Sequence, residues 1–99
     1  MKANIVGHDY NIEFVDGLYI NEGEWGIHKP NLLEIIIDND LKDSVKGECL
    51  HHEMLEALNF WQNWVLEHHL LTQISSNIFG TLNSNPELLS KLYGISNVK

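Results

Sequence analysis

Arginine is absent from this chain, and its six lysines stand against fourteen Asp and Glu, for a net charge of −8. Nucleic-acid binding draws on a basic patch that neutralises phosphates, so this balance argues against a nucleic-acid partner. Cysteine is nearly absent. Cys49 stands alone, which excludes an internal disulfide and a thiolate zinc site. Long apolar runs are missing, so no segment is expected to span a membrane, and no membrane partner is expected. The first residues lack the basic-then-apolar layout of a secretory leader. No low-complexity tract suggests disorder. What remains is 99 residues with an ordinary apolar content of 43%, enough for one core and too short for two. A single domain over 1–99 in the cytosol is expected.

Histidine is the residue in excess. There are six, and four form the adjacent pairs His51-His52 and His68-His69. One stretch organises the rest, Leu50-His-His52-Glu53-Met-Leu-Glu56-Ala-Leu58. On a helix, His52 and Glu56 project from one face a turn apart, so an imidazole and a carboxylate can bind one metal ion without bending the backbone. Glu53 is rotated by about 100° from His52. It can reach a water at the metal without being a ligand. This is the H-E-x-x-H zinc helix with Glu in the second ligand place. The plainer reading of the tetrad is a polar stripe on a surface helix.

Periodicity places this helix in an α+β chain: a small, mainly antiparallel sheet packed on two long helices. Residues 3–7 and 11–15 read as a hairpin with His8, Asp9 and Tyr10 in its turn. Residues 16–31, with Gly17, Gly23, Gly26 and Pro30, read as loop with a short strand at 18–20. In that loop Trp25 is expected to be a buried anchor and His28 an exposed residue. Residues 32–38 form the clearest strand, with Leu33, Ile35 and Ile37 on one face. The first long helix starts near a capping Asp43 or Ser44 and runs to about Trp61. Leu50, Met54, Ala57, Leu58 and Trp61 make its core face, and Val45, Cys49, His52 and Glu56 a second stripe. Asn63 caps a second helix that runs to about Leu82, with His68, Leu71, Ser75, Ile78 and Leu82 on one face. Asn85-Pro86 opens a last short helix that stops at Gly94.

A zinc site that leaves a position for water needs three protein ligands. His68 falls near the start of the second helix, where an antiparallel pair can bring it opposite His52 and Glu56. Its plainer reading is a core-edge histidine with one hydrogen bond. His69 points about 100° away and is the weaker candidate. His51 likewise faces away from His52.

The sequence resembles a family, the zincin-like metallopeptidases carried by tailed phages and bacterial prophages, over nearly its whole length. Ile5-Val-Gly7-His-Asp-Tyr10-Asn-Ile12 is similar to the family's first hairpin. Gly26 followed by Ile35-Ile-Ile37-Asp38 is similar to its loop and second strand region. Leu50-His-His52-Glu53-Met-Leu-Glu56-Ala-Leu-Asn59 resembles the metal helix. His68-His-Leu-Leu71-Thr-Gln-Ile74, Ile78-Phe79, Leu82 and Asn85-Pro86-Glu87-Leu88 resemble the third-ligand helix and its end. Aligned backwards from Asn85-Pro86, the resemblance puts the third histidine on His68. Glu56 departs from the family, where histidine is frequent. A His, Glu and His set suits zinc, but the extra anion weakens activation of a bound water.

The resemblance implies a zinc-dependent peptidase of a bacterial or infected host cell. His52, Glu56 and His68 would be the ligands of Zn²⁺ or another divalent metal, and Glu53 the catalytic base. The strand at 33–38 would line the cleft as an edge and pair with an extended peptide. Asp43 or Glu48 would support a ligand histidine. No electrophilic Tyr, His or Arg is identifiable for the oxyanion, with Tyr93 and His28 as bare possibilities. The alternative is a non-catalytic module that keeps the fold and binds a host or phage protein. A structural zinc site would need a fourth ligand from His51 or His69.

Overall fold

Polar and apolar residues alternate over 2–5 and 9–14, and the chain forms an antiparallel hairpin there. Strand β1 (Lys2–Ile5) pairs with β2 (His8–Val15), Ile5 opposite His8. The computed structural model describes residues 1–94, so residues 95–99 of the expected domain lie outside it. The turn is Val6-Gly7, both at positive φ (49° and 86°), the signature of a two-residue hairpin loop. The Asn4 side chain accepts the Gly7 N–H at 3.1 Å and closes it. His8, Asp9 and Tyr10 are therefore strand residues and not the expected turn. Tyr10 is fully buried.

The expected loop at 16–31 holds two elements. Helix α1 (Leu18–Glu22) replaces the strand expected at 18–20. Distant carboxylates hold it: Asp40 accepts the Gly17 N–H at 2.8 Å and buried Asp38 accepts the Tyr19 N–H at 3.2 Å. Strand β3 (Gly26–Lys29) follows, then a 3-10 turn at Pro30–Leu32 and strand β4 (Glu34–Asp38). The fold is α+β with a four-stranded mixed sheet in the order β1-β2-β4-β3. β4 runs parallel to β2 and antiparallel to β3, and β1-β2 is antiparallel. β4 is thus an interior strand, and β3 takes the edge that the sequence suggested for 33–38.

Helix α2 (Asp43–Gln62) crosses the sheet. Its Leu50, Met54, Ala57, Leu58 and Trp61 pack on Ile5, Tyr10, Ile12, Ile35 and Ile37, the face that periodicity picks out. Lys42, with no side-chain cap, occupies the N-cap position expected of Asp43 or Ser44. Asn63 does not cap the second helix. It ends α2 in the left-handed conformation at φ 55°. An irregular link follows, and helix α3 (His68–Ser84) starts at His68. α3 lies chiefly against α2, so the two long helices stack outward from the sheet. Gly47 allows the approach, since a Cβ there would meet the Phe79 ring at 3.0 Å. Helix α4 (Pro86–Tyr93) closes the described chain, with Gly94 at positive φ after it. Among the described residues, no helix is long and apolar enough to cross a membrane.

Candidate metal centre

The i, i+4 spacing on α2 puts His52 Nε2 3.3 Å from Glu56 Oε2. Across the helix pair, His68 Nδ1 lies 3.0 Å from the same oxygen. One ligand atom from each residue falls within 4.8 Å of the others. Donors held at about 2.0–2.2 Å around a tetrahedral ion sit roughly 3.4 Å apart, so this spacing and its two imidazoles and one carboxylate fit a divalent cation such as zinc. The same distances also make a metal-free ion pair when either imidazole is protonated. The His68 side chain is 74% exposed, so this side of the site faces solvent rather than the buried stripe expected of it.

The start of α3 is fixed by Asn59. Its side chain accepts the Leu66 N–H at 3.1 Å and donates to the Leu66 carbonyl at 3.2 Å, two residues before His68. The link also holds Val65 at φ 60°, a strained conformation for a β-branched residue. His69 takes no part in the triad. His51 faces the other way, with Nδ1 3.0 Å from the hydroxyl of buried Ser75, and joins α2 to α3. Burial and then neighbouring His52 lower its pKa, so it stays neutral near pH 7.

Glu53 is 9% exposed and makes no hydrogen bond or ion pair with another described residue. Burial first, then the charges of Glu56 and Glu24, push its carboxyl up to about 7, against a smaller opposing effect of His68. β3 passes directly over it. A Cβ on Gly26 would lie 3.0 Å from Glu53 Cγ and Oε2. Gly26, Ile27 and His28 of this edge strand line one cleft with His52, Glu53, Glu56 and His68. A second cleft of about 400 Å³ opens from the same centre along α2 towards Val45.

His28 is therefore not the exposed loop residue expected. Its Nε2 lies 2.6 Å from the Tyr10 hydroxyl, which accepts the Trp61 indole N–H at 2.8 Å. Burial lowers the His28 pKa, partly opposed by Glu56. Tyr93 lies on α4 and lines neither cleft. Trp25 is 50% exposed at the cleft wall and not a buried anchor. Asp43 pairs with Lys46 on the surface, while Glu48 lines the second cleft and accepts a bond from Ser76. Neither supports a ligand histidine. Sequence reasoning missed Asn59, Gly26 and Glu24. Gly26 sits at the start of a strand where another group approaches closely, which its place in the expected loop concealed.

No family model matches the chain, and no curated protein or solved structure matches it either.

Proposed function

We propose that this chain is a zinc-dependent peptidase of the zincin-like type found in phages and prophages, with His52, Glu56 and His68 as ligands and Glu53 as base. The convergence of the three ligand groups on one point, beside a buried carboxylate without a partner, carries the reading. Bound zinc would supply Lewis acidity for the scissile carbonyl and an acidified water. Glu53 receives a proton from the attacking water and passes it to the leaving amine. In the metal-free chain burial and neighbouring carboxylates raise this carboxyl to about 7, and a bound dication would favour its ionised, proton-accepting form. Among the described residues no other strand pairs with the outer edge of β3, so an extended peptide would lie along residues 26–28. His28, aligned by Tyr10, lines that cleft and can hydrogen-bond the substrate.

A non-catalytic binding module remains the second reading. It is favoured by the way Glu56 satisfies both histidines without an ion. The two readings separate on Glu53→Gln, tested with zinc against a mixed peptide library. The peptidase loses hydrolysis by roughly 10²–10⁴-fold while keeping its metal. A parent protein that binds zinc and cleaves no peptide overturns the peptidase reading.

A further inference from the structure

Between α1 with the start of β3 on one side and α3 on the other, the 400 Å³ cleft runs along the half-buried Val45, Cys49 and His52 stripe of α2. Val45 and His52 mark its ends, seven residues apart, so it extends about 10 Å from the triad. Tyr19, Trp25 and Val45 give it apolar walls, and the Tyr19 and Trp25 rings meet edge to face at 6.2 Å with both half exposed. Carboxylates are set into those walls: Glu24 on the β3 side, Glu48 on α2, and Glu53 at the inner end. Among the described residues no Lys or Arg lines the cleft.

A purely apolar occupant would strip water from these carboxylates without replacing it. The negative potential reaches the floor. The Cys49 thiol is pushed up to about 11 by burial, then by Glu48, Glu53 and Asp38. Glu53 adds a separate indication of a ligand, because it is more than nine-tenths buried and lacks any described donor.

We infer that this cleft is a specificity pocket for a long cationic side chain, lysine or arginine, on a residue next to the scissile bond. The aliphatic stem lies along Val45 and the aromatic rings, and the charged head meets Glu48 on α2 and Glu24 on the facing wall. The chain's net charge of −8 steers cationic peptides to it. The assignment rests on the peptidase reading for what the bound peptide undergoes. Capture of the side chain needs only the cleft.

The test therefore has a binding arm and a cleavage arm. Two capped tetrapeptides, identical except for lysine or norleucine at one position, are titrated by calorimetry against the metal-free full-length protein. The lysine peptide should bind on the order of tenfold tighter at low salt. Glu48→Gln and Glu24→Gln, both at exposed positions, should each reduce that preference by up to about fivefold, and high salt should remove most of it. Equal affinity for the two peptides, or a preference that neither variant alters, overturns the pocket. In the second arm, zinc-loaded parent protein is given a peptide library and the cleaved bonds are read by mass spectrometry. Cleavage beside Lys or Arg supports both assignments. Cleavage without that preference overturns the pocket and leaves the peptidase. A lysine preference in binding with no cleavage leaves the pocket and overturns the peptidase.

Discussion

Glu53→Gln should change the pH dependence of stability in the metal-free protein. Burial and the nearby Glu56 and Glu24 carry this carboxyl from its ordinary 4.5 to about 7 in the folded chain. Below pH 4.5 the folded and unfolded chains both hold the proton. Between 4.5 and 7 the unfolded chain has released it and the folded chain has not, so stability falls as pH rises. Above 7 the full penalty of a buried anion is present. At 1.36 kcal/mol per pH unit, the window is worth roughly 3 kcal/mol. Glutamine fills the same space and does not titrate there, so the variant escapes this loss. Urea denaturation in EDTA, for parent and variant from pH 4.5 to 8, should show the variant gaining roughly 3 kcal/mol relative to the parent. The titration of the neighbouring histidines is common to both proteins and largely cancels. Saturating zinc should shrink the gap, because a nearby dication favours the ionised carboxylate. Parallel stability profiles would show that Glu53 ionises normally, and the argument from its burial would fail.

Gly26→Ala should displace the Glu53 carboxylate, costing about 1–3 kcal/mol by overpacking and reducing any hydrolysis more than it reduces zinc content. Asn59→Ala removes both bonds to Leu66, should cost about 1–3 kcal/mol in thermal or urea unfolding, and should weaken zinc binding by loosening the start of α3. Tyr10→Phe leaves the Trp61 indole N–H without its acceptor, and a loss of about 1–2 kcal/mol is expected from urea unfolding. In metal-free protein at pH 8, Cys49 should be alkylated roughly 100-fold more slowly than in 8 M urea, since its thiol sits at about 11 against an ordinary 9.0.

The parts of the fold that were legible in the sequence are those with local periodicity. Ile35 and Ile37 alternate in β4, and Leu50, Met54, Ala57, Leu58 and Trp61 recur at helical spacing, and both sets face the core. The close approach of His52 to Glu56 follows from their separation on one helix. What failed depends on distant partners. Five residues of α1 carry no pattern of their own and are held by Asp38 and Asp40, some twenty residues away. β3, Gly-Ile-His-Lys, has little strand propensity and exists because β4 offers it an edge. The hairpin turn fell at Val6-Gly7 because positive φ at a valine is not a signal that sequence patterns contain. His28 and Trp25 were misplaced with the loop that held them. Asn63 and Glu67 show the same limit at the helix ends, where capping preference gave way to the geometry of the link to His68.

The claim on which the rest depends is that His52, Glu56 and His68 act together on one metal ion. Untagged protein, equilibrated with zinc and freed of excess by gel filtration, should retain one equivalent by elemental mass spectrometry. His52→Ala, Glu56→Ala and His68→Ala should each lose most of it, while His69→Ala and His51→Ala retain it with melting temperatures showing that the chains are folded. A parent that retains no zinc, or one whose zinc survives all three ligand substitutions, would contradict the account and leave the triad as an ion-paired cluster between α2 and α3.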